Sequence, residues 1–403
     1  MLNQSYPATQ IKWKNESLPV ILVVALLTII GLLAIYSAGN LRFTIRQLCW
    51  LPFAVIAFLF AYRLPQRLLF YLAYPLFFFG IFLLILVLIF GSGVGAKRWF
   101  NFGLVSFQPS EFIKLTTVLA LARFLSMRRK FTFRFADLIL PILFTLVPAL
   151  LILAEPDLGS ALVFLPILAV MLYWKGLNLF QIFLLFSPLL SFVFGYNLYT
   201  WIGYFVLLVI ILFWQGNVLQ SLVALGVNSL SGLLEPLVWS CLKDYQRARI
   251  TNFLAPWVDP KGIGWNLIQS QIAIGSGRLW GKGYLSGTQK RLEFLPNRHT
   301  DFIFSVIGEE FGFIGCLLVL LLFFFLLYRL ALIARYTRDE FASLAIIGFT
   351  TIIAYQVIVN IGMLLGLMPI TGIALPFLSY GGTSLLFNFT MIGLALNLQK
   401  SPD

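Results

Sequence analysis

Stretches of about twenty apolar residues, each long enough to cross a bilayer, recur along almost the whole chain, and nothing else constrains its fold so strongly. They run near residues 18–38, 48–64, 69–90, 108–126, 136–154 and 159–174, continue as one apolar region over 178–240, and resume near 302–328, 342–365 and 377–398. Backbone placed in hydrocarbon must satisfy its own hydrogen bonds, so these stretches become helices. The expected fold is all-α, a polytopic transmembrane helical bundle. Turn-like breaks at Gly195-Tyr196-Asn197 and Gln215-Gly216-Asn217 divide 178–240, giving about twelve spans, or ten at the lower count. Composition agrees, with 60% of 403 residues hydrophobic and 11% charged, against ~25% charged in a soluble domain.

The charges between spans sort by side. Lys12, Lys14, Arg63, Arg67, Arg123, Arg128, Arg129, Lys130, Arg134, Lys175, Arg329, Arg335, Arg338 and Lys400 fall on one side, and Arg42, Arg46, Lys97 and Arg98 on the other. Short cytoplasmic loops concentrate Lys and Arg, so both termini are expected in the cytoplasm. The organisation then reads as a cytoplasmic segment at 1–17, a transmembrane bundle at 18–240 with an apolar insertion at 178–240, a basic extracytoplasmic loop at 241–300, and transmembrane helices at 301–403. The polar start precedes an apolar run too long for a cleaved signal peptide. In the long loop, nine cations, Arg247 and Arg249 among them, outweigh Asp244, Asp259 and Glu293, and they interleave with Trp257, Trp265, Trp280 and Tyr284. That pattern suits a phosphate-bearing lipid at headgroup level better than a merely solvated loop.

Several chemistries are set aside. Cys49, Cys241 and Cys316 are scattered, and His299 is the one histidine, so no metal-ligand spacing is visible. The net charge of +13 accompanies no nucleic-acid module. The run GSGRLWGKG lacks the Ser or Thr after Gly-Lys that a phosphate-cradling loop needs, which argues against nucleotide binding.

Charges inside or at the edge of spans are costly and mark function by default. Glu111 and Lys114, at i and i+3 after Pro109, share a helix face and form either a structural ion pair or a cavity pair. Glu155 and Asp157 lie in AEPDLGSAL between two spans, where Asp157 can cap the next helix or face the outer cavity. In RLEFLPNRHTDFIFSVIGEEFGFIG, Thr300 is expected to cap a helix holding Asp301 in its first turn, with Glu309 and Glu310 two turns on. Asp301 at the membrane surface, facing a partly dry cavity, is a candidate general base. The segment GLMPITGIALPFLSYGGTS breaks two apolar runs and is expected either to line the same cavity or to be a simple kink.

Seven blocks in order, GAKRWFNFG, FQPSEFIK, EPDLGSAL, KDYQRARITNFLAP, GWNLIQSQIAIGSG, FLPNRHTDFIFSVIGEEFGFIG and NIGMLLGLMPITGIALPFLSYGGTS, resemble the SEDS family (shape, elongation, division, sporulation), and its elongation polymerases in particular. The resemblance covers most of residues 90–400 and implies a peptidoglycan glycosyltransferase of the bacterial inner membrane that polymerises lipid II on the outer face. It assigns the family's essential aspartate to Asp301, its helix pair to Glu111 and Lys114, its EPDLG aspartate to Asp157, and its extracellular tryptophan to Trp99. It also implies a class B penicillin-binding protein and other elongation-complex membrane proteins as partners. The region 178–240 has no counterpart in the family's ten-helix plan.

The mechanism implied is direct displacement. Asp301 deprotonates the acceptor GlcNAc 4-hydroxyl, which attacks the donor C1 as undecaprenyl pyrophosphate leaves, with Lys114, Arg98, Arg247 and Arg249 stabilising the anion. The sequence requires no cofactor, and a divalent cation, magnesium or manganese, is compatible with a bridge from the pyrophosphate to Asp301 or Asp157. The competing readings are a lipid II flippase and a non-catalytic scaffold.

Overall fold

The computed structural model describes residues 17–39, 41–92, 97–102, 105–128, 131, 133, 135–215, 217–241, 247, 263–287 and 298–400. Every expected span finds a helix. In order these are α1 (Ser17–Ala38), α2 (Leu41–Arg63), α3 (Gln66–Phe90), α4 (Pro109–Ser126), α5 (Phe135–Ala154), α6 (Leu158–Leu162) running into α7 (Phe164–Lys175), α8 (Leu179–Phe194), α9 (Leu198–Gln215) and α10 (Val218–Cys241). After α11 (Ile263–Ser276) come α12 (Ile303–Tyr336), α13 (Glu340–Leu364) and α14 (Gly382–Leu398). Among the described residues, seven helical segments are long and apolar enough to cross a membrane.

Two features depart from the expectation. A hairpin of two three-residue strands, β1 (Phe100–Phe102) and β2 (Val105–Phe107), joins α3 to α4, with Phe100 opposite Phe107. Thr383 Oγ1 donates to Ser106 O at 2.7 Å and ties this hairpin to α14. The long loop is also more than a solvated excursion, because α11 buries Leu267, Ser270 and Ala273 against α12 and α13.

Helix α12 has 34 residues and would be ~50 Å long if straight, well beyond a ~30 Å hydrocarbon core. It breaks at Gly312, where φ is 65° and ψ −160°. The orphaned donors of the break are taken up by the preceding loop: Phe313 N donates to Arg278 O at 2.8 Å and Ile314 N to Leu279 O at 3.2 Å. In return Lys282 N and Gly283 N donate to Glu309 O and Glu310 O, each at 3.0 Å. Gly281, at φ 80°, passes so close that a Cβ would lie 2.1 Å from Glu310 O. Gly277 and Gly281 of GSGRLWGKG thus let two backbones meet, which is a structural use of a run that lacks nucleotide-loop spacing. Glu309, buried, pairs with Lys282 at 2.8 Å, and Ser37 donates to Glu310.

Helix α13 is the central pillar: 78% of its membrane-length window is buried, against 17% for α2. Apolar residues run round most of its circumference, as a helix packed on several sides requires. Its Thr350 and Thr351 hydroxyls turn back onto the carbonyls of Ile346 and Ile347, both at 2.8 Å.

Several of the cations that the sequence assigns to one side are held by local partners. Lys175 pairs with Glu340, Arg128 with Asp137 at 3.0 Å, and Lys400 Nζ donates to Tyr62 O while sitting 3.6 Å over its ring. Arg123 is stacked between Phe70 and Tyr74 and donates to Tyr71 O.

Helices α8–α10 form a lateral group. They pack mainly on one another, touching the main bundle through α7, and they have their own small core of Leu184, Tyr204, Leu208 and Leu212. The outer surface of α9 exposes Tyr199, Phe213 and Trp214.

Candidate active site

A cavity of about 1230 Å³ is walled by α2, the β-hairpin, α4, the α5–α6 turn, residues 300–301, α13 and the start of α14. Six of the eight residues singled out from the sequence line it: Arg98, Trp99, Glu111, Lys114, Asp157 and Asp301.

Each is placed by local structure. Pro109 opens α4 with its ring at a position where an N–H would go unused, which puts Glu111 and Lys114 in the first two turns. Lys114 Nζ meets Glu111 Oε1 at 2.6 Å with both side chains buried, so the ion pair and the cavity position are realised together. An ammonium has three donors, and the pair uses one of them. Asp157 does cap α6, accepting from Ser160 N at 3.2 Å and Ser160 Oγ at 2.9 Å, and it lines the cavity as well. Arg98 locks the α5–α6 turn by donating to Glu155 O at 3.0 Å and to Pro156 O. Trp99 is bridged to Ser92 at the base of the hairpin.

The neighbourhood of Asp301 differs from the sequence expectation. Residues 298–302 form a turn and α12 starts at Ile303 behind Phe302, which offers no side-chain cap, so Thr300 is not the cap and Asp301 precedes the helix. What holds Asp301 is tertiary. Asn360 of α13 donates to Asp301 O at 3.0 Å and to Ile373 O at 2.7 Å, and Ser379 Oγ donates to Thr300 O at 2.7 Å. Tyr380 N donates to His299 O at 2.9 Å, and the His299 ring stacks on Phe43. Burial, aided by Arg298, holds the His299 pKa below its usual value, which keeps the ring neutral at pH 7.

The broken segment 365–381 lines the cavity, as one sequence reading expects. A Cβ on Gly372 would lie 3.4 Å from Asp301 Oδ2, so this segment and the aspartate are immediate neighbours.

Arg247 is not brought to the cavity. Its guanidinium donates to Trp239 O at 3.0 Å and Ser240 O at 2.7 Å, closing the C-terminal end of α10, where carbonyls lack helical partners. Arg249 lies outside the described residues.

The cavity also contains residues the sequence reading passed over. Tyr355 and Gln356, adjacent on α13, line it, and Tyr355 OH donates to Gly159 O at 2.9 Å. Asn360 anchors the Asp301 turn from one helical turn further along. Polar side chains within the apolar stretch 342–365 were the available signal. Glu155 sits behind Asp157, is 1% exposed, and meets no hydrogen-bond donor among the described residues at either oxygen. Burial, with the neighbouring charge of Asp157, pushes its pKa up to about 8.

Among the described residues, no three His, Cys, Asp or Glu side chains gather into a set that could hold a metal ion. Chemically, the cavity combines an exposed cation at the rim (Arg46), buried carboxylates, and a buried lysine with spare donors. That arrangement suits transfer chemistry with an anionic leaving group.

A family described as cell cycle protein, covering FtsW, RodA and SpoVE, matches residues 17–199 and 184–402. The two matched stretches overlap within α8 and the turn after it, where the apolar insertion was expected. Stage V sporulation protein E of Bacillus subtilis is 35% identical over 96% of this chain and 98% of its own length. Peptidoglycan glycosyltransferase MrdB of Escherichia coli K12 is 33% identical over 94% of this chain and 92% of its own. Among solved structures, a chain from a peptidoglycan synthase complex in which polymerization and crosslinking are coordinated superposes with a TM-score of 0.72 at 32% identity, covering 94% of this chain and 96% of that one. The rod shape determining protein RodA of Thermus thermophilus gives 0.63 at 30% identity, covering 94% and 95%.

Proposed function

The chain belongs to the FtsW, RodA and SpoVE family, the SEDS family, and on that premise we propose that it is a peptidoglycan glycosyltransferase whose cavity takes lipid II as acceptor and an undecaprenyl pyrophosphate-linked glycan as donor. The observation that carries this reading is a carboxylate, Asp301, on the wall of a cavity that also holds a buried lysine and an arginine-bearing rim. Asp301 takes the proton of the acceptor 4-hydroxyl as that oxygen attacks C1 of the donor MurNAc. The C1–O bond to the diphosphate breaks, its electrons leave with undecaprenyl pyrophosphate, and the α-linked donor becomes a β-1,4 link. Lys114, with two donors beyond its pair to Glu111, and Arg98 stabilise the charge on the leaving diphosphate. Asp157 frames the opposite wall.

The cavity opens to the cell exterior in this reading, supported by the clustering of fourteen cations at the other side of the chain. Both termini are then cytoplasmic in a bacterial inner membrane. The partner is a class B penicillin-binding transpeptidase with other elongation-complex membrane proteins, a view supported by the superposition on a chain from a synthase complex. A magnesium or manganese ion would draw on Asp157 or Asp301 and on phosphate oxygens, and chelation by EDTA tests that role.

The deciding experiment is incubation of purified protein, with and without the transpeptidase, with lipid II and analysis of glycan products. Polymer formed by the wild type and lost in Asp301→Asn supports the assignment. Lipid II that crosses a liposome bilayer without being elongated would instead identify a flippase.

A further inference from the structure

The cavity offers cationic donors and, separately, buried acceptors. At the rim stand Arg46, exposed on α2, and Arg98, and a guanidinium presents donors only. On the inner wall, beside the Lys114 ammonium, the buried atoms left without a partner among the described residues are acceptors. Gln356 of α13 is 2% exposed, lines the cavity, and has no donor at its Oε1 among the described residues. Glu111, on α4, lines the same cavity and is in the same condition at Oε2. Gln356 lies about two helical turns, ~12 Å, inside the end of α13, so this wall is well below the rim.

Buried acceptors without partners are kept where something else completes them. A diphosphate oxygen against Glu111 Oε2 or Gln356 Oε1 would set acceptor against acceptor, so the anion is left to the guanidiniums and the Lys114 ammonium, and these two atoms take hydrogen-bond donors. A carboxylate accepts from any hydroxyl or N–H. An amide side chain offers an acceptor and a donor side by side, and turning it end for end exchanges the two without losing either. Its full complement is another amide.

Resting on the lipid II reading above, we propose that Gln356 is a specificity-determining residue that reads the acetamido group of a substrate amino sugar. Its Oε1 accepts the acetamido N–H, and its Nε2 donates to the acetamido carbonyl. Glu111 Oε2 accepts a neighbouring sugar hydroxyl. The tether from Tyr355 OH to Gly159 O fixes the turn of α13 that carries Gln356 against the Asp157 wall.

The test compares kcat/KM for lipid II with that for an analogue whose acetamido N–H is replaced by an ester oxygen, made at one amino sugar or the other. Wild-type protein should prefer the native substrate by about 5–10-fold for one of the two analogues, the range of one neutral hydrogen bond. Gln356→Met keeps the side-chain length and removes both functions, and should bring that ratio to about one. Because the ratio is taken within each variant, the folded fraction cancels; should Gln356→Met fold poorly, Gln356→Ala carries the same comparison. Undiminished discrimination in both variants overturns the assignment. So does a variant that stops discriminating a deoxy-sugar analogue yet still discriminates the ester. Wild-type protein that makes no polymer from lipid II sinks the substrate reading itself, and with it the inference, an outcome distinct from the other two.

Discussion

Helices α8–α10 and the wall of the cavity both bury polar side chains among apolar helices, and they treat them in opposite ways. In the lateral group the polar set is closed. Asn228 Nδ2 donates to Ser187 Oγ at 2.9 Å and to Ala224 O at 2.8 Å, and its Oδ1 accepts from Tyr204 OH at 3.0 Å. Ser191 Oγ donates to Asn228 O at 2.7 Å and accepts from Trp201 Nε1 at 3.0 Å. At the cavity, Glu111 Oε2 and Gln356 Oε1 find no donor among the described residues. An unsatisfied buried polar atom costs about 1–3 kcal/mol, so a fold that closes one set and leaves the other open has used the first as interhelical glue and kept the second for a ligand. Substitutions in the open set should cost activity, and those in the closed set should cost stability.

The largest effect is expected at Asp301. Asp301→Asn keeps the volume and removes the ability to accept a proton at neutral pH, so the turnover rate on lipid II should fall by about 10²–10⁴-fold with folded yield unchanged. Near-normal turnover would take Asp301 out of the chemistry and turn attention to Asp157.

Lys114→Met comes next, at about 10²-fold, the scale of losing one preorganised donor to developing charge. The single variant strands Glu111 as a lone buried carboxylate, a destabilisation of roughly 3–5 kcal/mol. The double variant Glu111→Gln, Lys114→Met removes that complication. Full activity in the double variant would reduce the pair to a structural element.

Tyr355→Phe deletes a single hydroxyl and its 2.9 Å bond to Gly159 O, two residues beyond Asp157. Loss of about 1 kcal/mol of positioning corresponds to a fall in kcat of about 5-fold, with KM little changed. A change confined to KM would mean that the tether serves binding alone.

In the closed set, Asn228→Leu should leave polymerisation within about 2-fold of wild type and lower the stability of α8–α10 by about 1–2 kcal/mol. Faster proteolytic nicking at the turn around Gly195-Tyr196-Asn197 would report it. A drop in activity larger than the drop in stability would show that the lateral helices are coupled to the cavity.

The helices were legible because hydrocarbon leaves the backbone few choices, and the span lengths alone located most of them. Glu111, Lys114 and Asp157 were legible for a related reason: a charge at the edge of an apolar run is conspicuous. The Asp301 turn was misread because the local signal, Thr before Asp before an apolar run, is that of a capped helix. The native turn is instead held by Asn360 and Ser379, which are 59 and 78 residues further along the chain than Asp301. No local pattern encodes a tether of that range. The break at Gly312 escaped for the same reason, since its donors are taken by the backbone of residues 278 and 279. Arg247 was drawn into the candidate site by composition alone, and composition carries no direction.

The smallest effect on activity is expected at Glu155, which is buried next to Asp157 without lining the cavity. It lies in the turn between α5 and α6, and burial raises its pKa to about 8 from an ordinary value of 4.5, so it is mostly protonated and uncharged at pH 7. Glu155→Gln replaces a neutral acid by a neutral amide of the same shape, and turnover at pH 7 should change by less than about 2-fold. The consequence appears instead in the pH dependence of stability. Below 4.5 the carboxyl is protonated in both folded and unfolded chains and imposes no differential cost. Between 4.5 and about 8 only the unfolded chain releases the proton, so the wild type loses stability as pH rises through that window, and above it the loss is complete. Glu155→Gln lacks this slope. Thermal unfolding in detergent should therefore find the two proteins alike near pH 4.5 and the variant more stable near pH 8. Parallel curves would mean that Glu155 is ionised in the folded protein, held by a donor that closes it, and it would then belong with the satisfied set of α8–α10.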